Sequence, residues 1–505
     1  MAKYLYGASV QGIQSFIFQT NELKDIVGAS ELINNICDDA FDEFGGTKEQ
    51  SVIRAAGNIK HIFNDEGDCK NAVKEFPRRV MDLAPGITIS QAVVRFDEGQ
   101  GFSDVIDELE NRIKVQRNKQ AVSNLGFIGM QRARSTGLPL VKVDKGDYLD
   151  LSTKAKREIA NSGNSNSTKK LCKDCFGVDL PHSKIAYNIE DITKHNDWIA
   201  IIHADGNGLG KVIQEIGKNE KGYSTFSRSL NEATINAAQV AYKAICEKYE
   251  IDKEEKIPIR PIVLGGDDFT AICRADFAVD YTKEFLKAFE ENTSSYLGNI
   301  LKNNKVFKNS ETKLTACAGI SFIKSSFPFY FGYDLAEDLC NSAKKVAKAG
   351  ITENELPKSC LMFHKVQDSF VVDYEEIAKR ELNPQEKISF SFGPYFLDNR
   401  VYPSIDELQI KSKMLSTKEG NAVKSNIRQW MSLLYDKSDA AKQKMNRLKS
   451  MLRLSESKES KELLELVNWI ENGKEQNGTT TYPAYDLLSI HSVTFQKTKN
   501  TNKED

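Results

Sequence analysis

The stretch VLGGDDFTAI, residues 263–272, sets two apolar runs on either side of Gly265-Gly266-Asp267-Asp268. Short apolar runs bounded by glycine read as strands, and a Gly-rich dipeptide between them suits a tight hairpin. The glycines are explained by the turn, but the two adjacent carboxylates are not. Taken alone, such a turn is more often a plain hairpin than a site, so its neighbours in the sequence must decide.

Upstream, DWIAIIHADGNGLGKVIQEIG (197–217) contains a short buried strand over 198–204. It ends at Asp205 and passes through a glycine-rich turn into a helix. A longer helix is predicted over roughly 225–249. Downstream, 276–292 reads as a helix, TKLTACAGISFI (312–323) as a strand, and DLAEDLCNSAKKVAKAG (334–350) as a helix capped at Gly350. SCLMFHKV (359–366) closes the unit as a strand. The order β-α-α-β-β-α-β-α-β predicts an α+β domain, an antiparallel-rich sheet with helices on one face.

If these strands are neighbours, Asp205, Asp267 and Asp268 converge at one sheet edge. Crowded carboxylates raise one another's pKa, and bound divalent cations remove that cost. Mg2+ prefers a few carboxylates together with water and phosphate oxygens, and two such ions can activate a 3′-hydroxyl and stabilise a pyrophosphate leaving group. The turn DGNGLGK, with Gly206, Asn207, Gly208, Gly210 and Lys211, opens a helix whose N–H groups can approach phosphates. Its spacing fits neither the P-loop nor the dinucleotide fingerprint. Lys344 and Lys348 lie four apart on a predicted helix, share a face, and could reach the β- and γ-phosphates. Each feature has an ordinary structural explanation, but their combination favours a nucleotide–metal site.

The remaining sequence bounds this picture. At 505 residues two to four domains are expected. A hydrophobic content of 40%, a charged content of 28% and a net charge of −2 fit a soluble globular protein without an overall nucleic-acid-binding charge. No apolar run is long enough for a membrane span, and the N-terminus does not read as a signal peptide. Nine scattered cysteines suggest buried thiols in a reducing cytoplasm. Residues 1–128 form a first mixed unit, with strand–turn–strand at SVIRAAGNIKHIFND (51–65), a strand at 86–99 and a helix at 102–120. Residues 129–195 carry the polar run NSGNSNSTKK (161–170), read as a mobile loop, and one cysteine pair. The second unit spans 196–368. Residues 369–505 are mainly helical, with a disordered tail expected at 497–505. VIRAAGNIKHIF (52–63) has the shape of PIVLGGDDFTAI without the acids; Asn58 and Ile59 are placed opposite Asp267 and Asp268.

Together, IIHADGNGLGK, PIVLGGDDFTAI, TACAGISFI and DLCNSAKKVAKAG resemble the catalytic palm shared by GGDEF cyclases and the large subunit of type III CRISPR effectors. The latter is the nearer resemblance. VQGIQSFIFQTNELKDIVGASELI (10–33) and AAGNIKHIF (55–63) resemble its acid-free first palm. STGLP (135–139) followed by Cys172-x-x-Cys175 resembles its inter-palm zinc ribbon. SFGPYFLDN (391–399) and TTYPAYDLLSI (480–490) resemble parts of its C-terminal region. The resemblance implies two ferredoxin-like palm domains, a small zinc-ribbon-like insert between them and an α-helical C-terminal domain. It further implies synthesis of cyclic oligoadenylate second messengers from ATP in antiviral defence. Asp205, Asp267 and Asp268 would be Mg2+ or Mn2+ ligands. Gly206, Asn207, Gly208, Gly210, Lys211, Gly265, Gly266, Lys344 and Lys348 would hold the nucleotide. The acid-free palm would contribute a face to a composite pocket.

Three departures qualify the expectation. No His-Asp nuclease domain is read before the first palm, and the chain is short for the family. Cys172 and Cys175 are half of a four-cysteine set; His182 could add a ligand, but the pair is read as a vestige without zinc. Alternatives to the enzyme are a catalytically silent or regulated RNA-binding scaffold of a CRISPR-type complex, which lysine-rich helices such as AAKQKMNRLKSMLR (440–453) permit, and a template-dependent polymerase, disfavoured for want of a primer-handling element. Expected partners are nucleoside triphosphates, and beyond them RNA, effector subunits or a second copy of the chain.

Overall fold

The computed structural model describes all residues except 1, 46–50, 56, 98–99, 119–128, 162–165, 194–196, 217–219, 304–305, 308–310, 353–354, 369–372, 456, 477 and 496–505. The tail expected to be disordered, and part of the polar run at 161–170, lie outside the described residues.

In the N-terminal unit, β1 (Lys3–Gln11) leads through α1 (Ile13–Ile17), α2 (Leu23–Cys37) and α3 (Asp39–Gly45) to the hairpin β2 (Ser51–Ala55) and β3 (Asn58–Phe63). Helix α4 (Glu66–Leu83), strand β4 (Thr88–Phe96) and helix α5 (Phe102–Arg117) follow. Helix α4, which carries Pro77 in its interior, is not anticipated from the sequence. Yet Cys69, Ala72, Phe76 and Val80 form a buried stripe at helical spacing, and the Asp65 side chain caps its start by accepting from the Asp68 N–H.

A connecting region holds the hairpin β5 (Leu140–Asp144) and β6 (Asp147–Asp150), then α6 (Leu151–Asn161), α7 (Asn166–Phe176) and α8 (Ile189–Ile192). The second half of the polar run is therefore helical rather than loop. Cys172 and Cys175 sit on α7, buried in the hydrophobic core, instead of on a ribbon.

The second unit runs β7 (Trp198–Gly206), α9 (Leu209–Ile216), α10 (Glu220–Tyr249), β8 (Ile259–Gly265), β9 (Asp268–Arg274), α11 (Ala278–Asn303), β10 (Ala316–Lys324), α12 (Phe329–Lys348), β11 (Cys360–Lys365). This is the order expected from the sequence. The C-terminal region contains α13 (Tyr374–Ile377), β12 (Ile388–Ser389), β13 (Tyr395–Phe396), α14 (Ile405–Met414), α15 (Lys418–Asp436), α16 (Ser438–Leu454), α17 (Lys458–Asn472), β14 (Lys474–Gln476), β15 (Thr479–Thr481) and α18 (Ala484–Thr494).

The first sheet has the order β2-β3-β1-β4 and the second β13-β11-β10-β7-β9-β8. Four strands of the second, β8-β9-β7-β10, repeat the first strand for strand, all antiparallel. Both follow the β-α-β-β-α-β plan of ferredoxin-like domains. The repeat that is faint in sequence is thus plain in topology. The second sheet does not end at β11: the C-terminal region lends it β13 as an edge strand. Tyr395 on β13 donates to the buried Asp486 carboxylate on α18 at 2.7 Å, tying that region to the second sheet.

The two units pack reciprocally. Helix α2 of the first lies on β8 of the second, and α10 of the second lies on β2 of the first. Ser30 donates to the Ile262 carbonyl, and Glu31 pairs with Arg260 at 3.3 Å, both fully buried. Helix α12 approaches β10 at Gly319, where an added Cβ would lie 1.9 Å from the Ala336 carbonyl oxygen. Only glycine allows that contact, and it sets the height of α12 over the sheet. Among the described residues, no helix is long and apolar enough to cross a membrane.

Candidate active site

The register of the second sheet brings the three aspartates together. Asp205 lies opposite Cys317 of β10 at the end of β7. The β7–β9 ladder ends at Ala204 opposite Phe269, which places Asp205 beside Asp268, the first residue of β9. Gly265 pairs with Asp268, so Gly266 and Asp267 are the two-residue turn. Gly266 has φ +65°, a conformation that glycine adopts freely and that this turn requires. Helix α10 anchors the turn: the Gly266 N–H donates to Asn231 Oδ1 at 3.1 Å, and Thr234 Oγ1 donates to the Gly266 carbonyl at 2.6 Å.

Each aspartate offers a carboxylate oxygen within 4.8 Å of the others. No other cluster of three or more acidic, His or Cys ligands occurs among the described residues. Burial, with the Asp268 charge and a hydrogen bond to Asp205 beside it, pushes the Asp267 carboxyl up to about 8. Burial and the Asp205 charge push Asp268 up to about 7, against the opposing pull of Lys344. Lys344 of α12 donates to Asp205 Oδ2 and, at 3.0 Å, to the Gly206 carbonyl. Its pKa is raised: burial opposes the ammonium, but Asp205 outweighs it.

The other residues expected from the sequence divide. Gly206, Gly208 and Gly210 line the turn from β7 into α9, and Gly210 faces open space. Lys348 is exposed one turn beyond Lys344. Lys211 lies over the Phe307 ring. Asn207 differs from expectation. It is buried, and its N–H and side-chain amide bind the Thr315 carbonyl and hydroxyl, so it fixes the turn to β10 instead of presenting a group to a ligand.

Several residues around the aspartates were not read from the sequence. His203, two positions before Asp205 and therefore on the same face of β7, contacts Thr270 Oγ1 at 3.1 Å; burial pushes its imidazole down to about 4 and keeps it neutral. Glu337, seven residues before Lys344 on α12, adds negative charge near Asp268. The first unit reaches across: Gln14 donates to the Tyr333 hydroxyl at 3.0 Å and to Glu337 at 3.4 Å, and Phe18 stacks on Tyr333. Helical spacing could have found Glu337 and strand alternation His203; no local signal points to Gln14.

The first unit holds a neutral counterpart. Ser9 pairs with Asn58 of β3 and Ser90 of β4, at the place where Asp205 pairs with Cys317 and lies beside Asp268. Ser9 Oγ donates to Asn58 Oδ1 at 3.0 Å, and Arg117 at the end of α5 donates to Ser9 Oγ at 2.9 Å, as Lys344 on α12 does to Asp205. Because Ala55 pairs with Asn58, the equivalent of Asp268 is Asn58 and that of Asp267 is Gly57, one position away from the alignment expected above.

Residues 198–352 match the family model of Cas10/Cmr2, second palm domain. No curated protein matches the sequence. The fold is similar to that of a chain in the Csm1–Csm4 cassette in complex with pppApApA, with TM-score 0.53 and 15% identity over 97% of this chain and 69% of that one. It is likewise similar to the cassette in complex with cA3, with TM-score 0.51 and 15% identity over 98% and 70%. A chain of the Csm1–Csm4 subcomplex in the type III-A CRISPR-Csm interference complex gives TM-score 0.50 and 15% identity over 97% and 69%. Residues 198–352, with their three aspartates at the sheet edge, therefore match the second palm domain of Cas10/Cmr2, within a chain whose fold is similar to that of chains in the Csm1–Csm4 cassette.

Proposed function

We propose that the protein condenses nucleoside triphosphates, ATP foremost, into 3′–5′ linked cyclic oligonucleotides with release of pyrophosphate, in a type III CRISPR or related defence system. The observation that carries this reading is the convergence of Asp205, Asp267 and Asp268 beside Lys344 at one palm edge. An all-carboxylate donor set suits a hard cation, Mg2+ or Mn2+. The raised pKa values of Asp267 and Asp268 fit the same conclusion, since burial and then the neighbouring carboxylate charges disfavour ionisation there, and a cation among them offsets both. Bound there, divalent cations would supply activation of a 3′-hydroxyl and neutralisation of the leaving pyrophosphate.

The chain's own residues do the rest. Asp205, Asp267 and Asp268 would hold the ions. Lys344 and Lys348 add positive charge for the phosphates, and the turn over Gly206–Gly210 admits them close to the backbone, with Gly265 and Gly266 below. Neutral His203 adds no competing charge. Gln14 and Phe18 reach one side of the site from the first unit through Tyr333 and Glu337. The similar cassettes bound to pppApApA and to cA3 support a nucleotide-joining site of this form.

A second reading, a silent or regulated RNA-binding subunit, draws on one observation: a chain of like fold sits in the Csm1–Csm4 subcomplex of an interference complex. A partner resembling Csm4 is proposed on either reading. Incubation with each NTP, with and without RNA and partner subunits, followed by mass spectrometry of the products separates the two. Cyclic or linear oligoadenylates support the enzyme; their absence under every condition supports the scaffold.

A further inference from the structure

At the end of the second palm sheet opposite the aspartates lies a cavity of about 590 Å3, between the end of β11 and helices α15 and α18. Along β7 it is seven residues from Trp198 to Asp205, roughly 23 Å at strand rise, so the cavity is separate from the candidate active site. That volume accommodates a nucleotide-sized ligand.

Its walls are cationic. Lys365 and Arg428 line it, with the hydroxyl-bearing side chains of Ser432, Tyr435, Tyr485 and Ser492. Lys365 donates to Ser492 Oγ at 2.6 Å, and its ammonium lies 4.2 Å from the centre of the Trp198 ring, which Lys324 also approaches at 4.4 Å. Among the described residues no carboxylate pairs with Lys365 or Arg428. The one acid in the lining, Glu381, is bound to Arg380 at 2.7 Å. Burial, with Lys324 and Arg428 nearby, pushes the Lys365 ammonium down to about 8. A half-buried lysine beside further cations, with no carboxylate paired to it among the described residues, is an unfavourable arrangement that a bound anion relieves. Met431, Leu488, Tyr435 and Tyr485 offer an apolar surface beside the charges.

We propose that this cavity binds a phosphate-bearing anion of nucleotide size, its phosphate on Lys365 and Arg428, at a site distinct from the aspartates. Calorimetric titration of the full chain in EDTA, with inorganic pyrophosphate, adenosine 5′-monophosphate and neutral adenosine as probes, tests it. Both anions are expected to bind and adenosine is not. Lys365→Met, which removes the ammonium but keeps an unbranched side chain, and Arg428→Ala, at an exposed position, should each weaken binding about tenfold. Asp267→Asn with Asp268→Asn should leave that binding unchanged. The proposal is overturned if neither anion binds at millimolar concentration to folded protein. It is equally overturned if adenosine binds as well as the monophosphate, or if the aspartate variant abolishes binding while the Lys365 and Arg428 variants do not.

Discussion

Lys344 on α12 donates to the Asp205 carboxylate on β7, so the one cation that touches the aspartate cluster among the described residues comes from the helix that crosses over its sheet. Replacing it with Met removes that charge from three crowded carboxylates and from the proposed phosphate site. Lys344→Met should lower NTP turnover by about 10²-fold or more, on the scale of losing one electrostatic contact to a reacting group. Steady-state kinetics and a thermal melt read in parallel separate this loss from unfolding.

Asp267 and Asp268 are raised above the ordinary carboxylate range, to about 8 and about 7. The folded protein therefore holds more protons at these sites than the unfolded chain between about pH 4 and pH 8. Their contribution to stability falls as pH rises through that window. In EDTA the melting temperature should carry a downward component from pH 5 to pH 8, and Asp267→Asn with Asp268→Asn should flatten it. Mg2+ or Mn2+ should raise the melting temperature more at pH 8 than at pH 5, because the ion binds the deprotonated form. Melts across pH with and without metal check all three.

Gly319 sets how closely α12 lies on β10. Gly319→Ala puts a methyl group against the Ala336 carbonyl, and the helix must shift. A destabilisation of about 1–3 kcal/mol is expected, as for other overpacked cores. Activity should fall further than stability alone explains, because Lys344 and Glu337 move with the helix. Denaturant melts alongside turnover measure both.

Arg260 and Glu31 form a fully buried pair between the first and second units. Arg260→Met leaves the Glu31 carboxylate buried and should cost about 3–5 kcal/mol, whereas Arg260→Met with Glu31→Gln should recover much of it. A double-mutant cycle by calorimetry measures the coupling.

Much of the site is legible in the sequence because its carriers are local. An apolar strand ends at Asp205, a glycine turn presents Asp267 and Asp268, and an amphipathic helix carries Lys344. What escapes is set by tertiary register. The turn pairing Ala55 with Asn58 moves the first-palm alignment by one residue, which no residue type announces. Gln14 and Phe18 reach the site only because the palms pack together, and β13 joins the second sheet from beyond α13. Asn207 reads as a ligand-facing turn residue, but the carbonyl and hydroxyl of Thr315, just before β10, claim it. Helix α4, with Pro77 inside it, is not anticipated from the sequence, although its buried stripe keeps helical spacing.

The central claim is that the three aspartates drive nucleotide condensation. Pyrophosphate release from ATP, measured with Mg2+ or Mn2+ in the presence of RNA and partner subunits, addresses it most directly when wild type is compared with Asp267→Asn/Asp268→Asn. Release by wild type that falls to background in the folded double variant is the expected result. Release that persists in the double variant, or none from wild type under any of these conditions, would contradict it.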